Sequence, residues 1–512
     1  MMDVVLRAER VLLDGEMRPA AVAVADGVIV DVGPIDAPHR GTVDAWLPSD
    51  AVLLPGFVDS HVHVDEPGTD WEGFASATAA AAAGGITTLV DMPLDSDPVT
   101  TNVAALRIKQ EAAEGNCRVA VGFWAGVVPD NLEDLEPLAD AGVTGFKCFL
   151  AESGNPNFEH LTPEQFRTAM ARIAELDAVL LVHAESARVI ADSPSAGGRD
   201  YGSFLDSRPD AAEEDAVALV VETAAATGAR AHVVHVSSAQ VLALLAEAKR
   251  SGVPVTAETC PHYLTFAAEA IGDGATEFAV CPPIRSEANR ERLWAALRDG
   301  TLDMIVSDHS PCTPDLKGDG DFGRAFGGIS SLQLGPRAAW TQAAQRGFGL
   351  PALSRWMSSA PAALAGFADR GRIGVGLQDL LAGLAGSDPV GVLDGQDEHL
   401  AVAHRSGTTV LEDRVHDRLH VAVCHNALHL DLRAEVVREL GAAIALGDAL
   451  LAPRALHLAD GQRGEPERQE LRSDRLERLV PNVCDHHLHA GLSFVANVGS
   501  GAGGTVAAAP PP

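Results

Sequence analysis

Six polar residues, each at the end of or inside an apolar stretch, could together hold metal ions. "DSHVH" carries His61 and His63, "GFKCFL" carries Lys147, "LLVHAES" carries His183, "HVVHVSS" carries His235, and "MIVSDHSP" carries Asp308. Imidazole and carboxylate donors suit zinc and its first-row neighbours, and two such ions about 3.5–4 Å apart need a shared anionic bridge. Lys147 is one of only four lysines in the chain. An ammonium between two dications would crowd positive charge into one low-dielectric pocket, so the amine must be neutral or modified. Desolvation and the metals both lower its pKa. A neutral amine can add CO2 to become a carbamate, and that carboxylate would supply the bridge.

Such a set needs a scaffold that brings five distant stretches to one place. From about residue 52 the chain alternates short Val/Ile/Ala-rich runs with longer stretches of helical period, such as "TPEQFRTAMARIAELDA" and "EEDAVALVVETAAATG". The apolar runs are "AVLLPGFVDSHVH", "GGITTLVDMP", "RVAVGFWAGVV", "GVTGFKCFL", "AVLLVHAES", "ARAHVVHVSS", "VPVTAETCPHYL" and "LDMIVSDHSP". Eight such units predict an α/β fold, a closed (β/α)8 barrel over residues 53–376, with all six residues at its C-terminal mouth. Residues two apart on a strand share a face, so His61 and His63 both point inward. Residues 1–52 alternate apolar runs with turns and predict a small antiparallel, β-sandwich-like domain.

The 136 residues after Gly376 contain no Lys, Met, Trp or Tyr, one Ile and one Phe, yet hold ten of the 19 histidines. Large core-forming residues are scarce there. The segment 377–512 is therefore read as an atypical tail, either translated out of frame or disordered, with no strand to pair with the first sheet. Its histidines are scattered without ligand spacing.

A net charge of −33 argues against nucleic acid or an anionic membrane as partner. Apolar content of 46% with 21% charged residues describes a folded chain, and no run is long enough to span a bilayer. No basic-then-apolar leader opens the sequence, and the seven cysteines lack framework spacing, so the expectation is a cytoplasmic protein with reduced thiols.

The stretches "GFVDSHVHVDEPGTDWEGF", "GFKCFL", "SRPDAAEEDAV", "AETCPHYLTF" and "SDHSPCTPDLK…FGGISSLQLG" resemble the cyclic amidohydrolase superfamily, and allantoinases most of all, over about residues 1–376. The resemblance implies that His61, His63, Lys147, His183, His235 and Asp308 bind two divalent ions, zinc by expectation, with Lys147 carboxylated and bridging. It implies hydrolysis of the hydantoin ring of allantoin to allantoate, with a metal-bridging hydroxide as nucleophile and Asp308 carrying the proton. A homo-oligomer, a tetramer, is implied as well. Dihydroorotases of this superfamily place an arginine where this chain has Asp65, and hydantoinases and dihydropyrimidinases place a tyrosine where it has Glu152. Allantoinases show asparagine at the positions of Asp65 and Asp95. The alternatives are a hydantoinase or dihydropyrimidinase with a changed oxyanion donor, and an amidohydrolase-like scaffold without catalysis.

Asp65, Asp95, Cys281 and Gly327 are expected near the substrate, the last two through backbone groups. His262 either supports the ligands from behind or is a hydrogen-bonded core histidine. Arg285 and Arg290 are read as structural ion pairs, and Trp71, Glu72 and Phe74 as anchors of a loop and helix.

Overall fold

A computed structural model describes residues 2–49, 51–378, 390–395 and 398–403. β1 (Met2–Leu13), β2 (Glu16–Ala25) and β3 (Val28–Gly33) form antiparallel hairpins. Both turns are Asp-Gly pairs in the left-handed region, Asp14–Gly15 and Asp26–Gly27, whose twist matches that of paired strands. β4 (Gly41–Trp46) and β5 (Ala51–Leu54) instead run parallel to β1. The sheet is therefore mixed and not wholly antiparallel as expected, and it extends past residue 52. The cause is the proline-bearing connection 34–40, which returns the chain to its starting end. Arg7 fastens that connection by donating to the carbonyls of Ile35 (2.6 Å), Ala37 (3.0 Å) and His39 (3.0 Å), while its Nε pairs with Asp44 at 2.8 Å.

The eight expected barrel strands are present. They are β6 (Phe57–Val62), β7 (Ile86–Asp91), β8 with β9 (Ala120–Phe123 and Ala125–Gly126), β10 (Phe146–Phe149), β11 (Val179–His183), β12 (Arg230–Val233), β13 (Val255–Thr259) and β14 (Met304–Ile305). All pair in parallel in chain order. The third strand is interrupted at Trp124, whose indole N–H donates to the Ser60 carbonyl at 2.9 Å. Past β14 the ring closes onto β6 through a parallel bridge between Val62 and His309.

The helices between the strands carry the expected end signals. Thr162 and Gln165 form a reciprocal capping box at the start of Pro163–Glu175, and Gly228 in the left-handed conformation ends Asp210–Thr227. Gly145 leads into the Lys147 strand at φ 152; a Cβ there would lie 2.7 Å from the Val179 side chain and 2.8 Å from Trp124, so only glycine fits.

The first sheet and the barrel are tied together where the chain leaves the barrel, as the Ile29 N–H donates to the Leu377 carbonyl at 2.9 Å. Nearly all of the 377–512 tail lies outside the described residues. The exception departs from expectation: Val390–Gly395 (β15) and Glu398–Ala403 (β16) form an antiparallel hairpin, and β16 lies parallel along β5. An open strand edge offers unpaired main-chain groups that a short β-prone run can satisfy. Among the described residues no helix is long and apolar enough to cross a membrane.

One buried ion pair fixes the end of β7. Lys109, 1% exposed, donates to Asp91 Oδ2 and to the Met92 carbonyl, each at 2.7 Å. Lys109→Met would leave Asp91 buried without its partner, so we expect a loss of about 3–5 kcal/mol. A lower urea midpoint at unchanged slope would show it, and adding Asp91→Asn should recover part of the loss.

Candidate metal centre

The barrel brings all six predicted ligands together. His61 and His63 come from the end of β6, Lys147 from β10, His183 from β11, and His235 and Asp308 from the residues just past β12 and β14. All six are buried, Lys147 and His61 completely. His235 and Asp308 hold left-handed backbone angles, φ 39 and 45, which non-glycine residues adopt at a cost of about 1–3 kcal/mol.

Each of three histidines has one ring nitrogen against a carboxylate and the other turned to the shared centre. His61 Nδ1 lies 2.5 Å from Glu258 Oε1, and its Nε2 lies 3.1 Å from Asp308 Oδ1. His183 Nε2 lies 2.8 Å from Glu185 Oε2, and its Nδ1 faces His235 Nε2 at 2.9 Å. His63 Nδ1 is 3.4 Å from Asp95 Oδ2 and its Nε2 is 3.8 Å from Asp308 Oδ1. A carboxylate behind an imidazole fixes its tautomer and raises the basicity of the far nitrogen.

The centre also fits metal by what it leaves unsatisfied. His61 Nε2, His235 Nδ1 and Lys147 Nζ are buried without a hydrogen bond. Such groups are costly unless something else meets them. Donor atoms of His61, His63 and Asp308 lie within 4.8 Å of one another, a group able to hold an ion. These observations fit divalent metal.

The electrostatics follow from burial first. Burial draws the Lys147 amine down to about 8, although Asp308 and Glu258 oppose it. Burial holds His183 and His235 well below the usual imidazole range. His61 goes the other way, up to about 9, because Asp308 and Glu258 outweigh its burial. Burial alone would raise Asp308, but His61, His235 and His63 hold it well below the ordinary carboxylate range.

Asp65 and Asp95 lie beside His63, with donor atoms of all three within 4.8 Å. Both carboxylate oxygens of Asp65 are buried and unpartnered, and burial, then Asp95 and Asp91, push its pKa well up. Cys281 and Gly327 are neighbours, a Cβ on the glycine falling 3.1 Å from the thiol sulfur. His262 is wholly buried with neither ring nitrogen hydrogen-bonded, so it is not the hydrogen-bonded core histidine considered from sequence. Burial lowers it to about 4. The expected ion pairs are present: Arg285 with Glu213 and Arg290 with Glu287, each at 2.8 Å. Trp71 packs edge-on against Phe326, and Glu72 Oε2 meets His309 Nε2 at 2.5 Å.

Sequence reading missed Glu258 and Glu185. Glu258 also takes His232 Nε2 at 2.8 Å, and Glu185 is held by Arg208. The available signal for Glu258 was an acid inside the apolar run "VPVTAET", the same oddity that singles out Lys147.

Comparison with known proteins agrees with this geometry. The profile of the amidohydrolase family matches residues 52–378. An allantoinase of Streptomyces avermitilis is 50% identical over 408 residues, covering 80% of this chain and 90% of that protein. An allantoinase of Saccharomyces cerevisiae is 46% identical over 356 residues, 66% of this chain and 77% of that protein. Among solved structures, the L-hydantoinase (dihydropyrimidinase) from Arthrobacter aurescens superposes with a TM-score of 0.69 at 27% identity, covering 74% of this chain and 86% of that one. With its barrel, its six converging side chains and these relatives, the chain belongs to the amidohydrolase family.

Proposed function

We propose that this protein is a binuclear metal allantoinase, hydrolysing the hydantoin ring amide of allantoin to allantoate. The observation that carries the catalytic part is Lys147, whose Nζ is wholly buried without a hydrogen bond and interacts electrostatically with His61, His183, His235 and Asp308. The choice of substrate is supported by relatives named allantoinases at 42–50% identity.

His61, His63, His183, His235, Asp308 and a carboxylated Lys147 would hold two divalent ions, zinc in this proposal. Carboxylation joins the amine nitrogen to the carbon of CO2 and releases one proton. When bound, the ions lower the pKa of water towards 7 and polarise the ring carbonyl. Asp308 accepts the proton of the attacking water at a carboxylate oxygen and returns it to the departing ring nitrogen. Glu258 and Glu185 keep His61 and His183 in the tautomers that turn a free nitrogen inward. Asp65, Asp95 and the backbone near Cys281 and Gly327 border the space for the ring and its substituent. The proposal includes a homo-oligomer, a tetramer by resemblance, and a cytoplasmic location.

The structural likeness to hydantoinases makes the hydantoinase reading the one to weigh against this. That activity would need a tyrosine at the mouth by the resemblance. The chain's two tyrosines are committed elsewhere: Tyr201 donates to the Ile284 carbonyl at 2.9 Å and Tyr263 to the Pro282 carbonyl at 2.6 Å. Glu152 at the compared position is exposed.

Zinc-loaded protein should release allantoate from allantoin and leave dihydroorotate intact, since Asp65 stands where dihydroorotases place the arginine that holds its carboxylate. Absence of allantoin turnover by protein with two bound ions rejects the assignment. Lys147→Ala should lose bound metal and activity together, and added acetate or propionate should restore part of both. Glu258→Gln should weaken metal binding by about 10–100-fold, measured by competition with a chromophoric chelator.

A further inference from the structure

The end of strand β13, like those of β7 and of β8 with β9, contributes none of the six candidate ligands. Directly after it come Cys260 and His262, both wholly buried. The Cys260 sulfur, a His262 ring nitrogen and an Asp308 carboxylate oxygen lie within 4.8 Å of one another. Both nitrogens of His262 lack a hydrogen-bond partner, and the ring packs edge-on against Tyr263 at 4.2 Å between centroids. An imidazole buried with both nitrogens unmet is unfavourable, and nothing in its described surroundings satisfies it.

Thiolate, imidazole and carboxylate form a donor set that suits tetrahedral zinc, cadmium or cobalt, with a fourth position left for water. From metal–ligand bonds of about 2.0–2.3 Å, bound donors would sit roughly 3.3–3.8 Å apart, so these three need to close by at most about 1–1.5 Å. Asp308 turns Oδ1 to His61 and His63. Its carboxylate has a second oxygen to offer on another side.

We propose that Cys260, His262 and Asp308 form a third metal site, for a borderline or soft divalent cation, and that its occupation inhibits hydrolysis by tying up Asp308. Binding forms the sulfur–metal bond and releases the thiol proton to solvent. Inhibition rests on the hydrolytic role given to Asp308 above; the site itself does not.

The test is cobalt titration of the full chain after removal of metal by a chelator. The expected result is three cobalt ions per chain, with the third bringing a near-ultraviolet sulfur-to-cobalt charge-transfer band that histidine and oxygen ligands cannot give. Cys260→Ser should abolish the band and lower the count to two, whereas Cys148→Ser, removing the buried thiol beside Lys147, should keep both. His262→Gln retains the thiol and should weaken only the third ion. A wild-type count of two, or a band that survives Cys260→Ser, overturns the site. For regulation, zinc beyond two equivalents should slow allantoin hydrolysis by about 10²-fold, the scale of a lost general acid–base, and should have no such effect on Cys260→Ser. Excess zinc that leaves the wild-type rate unchanged overturns the inhibitory role, while the spectrum, read without substrate, is unaffected by any failure of the allantoinase assignment.

Discussion

The amine of Lys147 is wholly buried and makes no hydrogen bond, and it interacts electrostatically with His61, His183, His235 and Asp308. As an ammonium it would meet the full cost of burial with Asp308 as its near counter-charge, and it could not share the space with divalent ions. The surrounding chain is built to hold it there regardless. Gly145 lets the backbone pass between Val179 and Trp124, and parallel pairing on both sides of β10 fixes the direction of the side chain. Local specificity on this scale around a costly group supports the carbamate proposed for it.

The histidines show the same economy of alternatives. An imidazole can turn either nitrogen towards an ion, and the choice is made from outside the centre. Glu258 takes Nδ1 of His61, Glu185 takes Nε2 of His183, and the opposite nitrogen of each ring is the one left for the shared space. Glu258 is fixed in turn by His232, itself 2.8 Å away and bonded through Nδ1 to Thr256 at 2.7 Å. Orientation thus passes from strand to strand around the inside of the barrel.

This division explains what could be read from sequence. The six converging residues were legible as candidate ligands because each interrupts an apolar run near its end, and eight such runs identify the barrel. Their supports were not, because Glu258 meets His61 across 197 positions and no spacing rule links them. Lys109 was hidden differently: on a helix of mixed residues a lysine looks solvated, and only the packed structure shows it beneath Asp91. The direction of β4 and β5 was missed because parallel pairing within the first sheet depends on where the 34–40 connection leads, which composition does not encode.

Asp308 is held by the interactions that also close the barrel. Before it, the Ser307 N–H donates to Asp59 at 3.2 Å and its hydroxyl to the His61 carbonyl at 3.2 Å, while its carbonyl accepts from the Ser331 hydroxyl at 3.0 Å. After it, the His309 carbonyl accepts from the His63 N–H at 2.7 Å, and its ring spans Glu72 and the Ser331 N–H. With both neighbours pinned across the seam between the first and last strands, Asp308 has little choice but the left-handed angle that aims its carboxylate at His61. A strained conformation persists where its surroundings over-determine it. Here the surroundings are the seam itself, so a barrel that failed to close would release Asp308 from that angle.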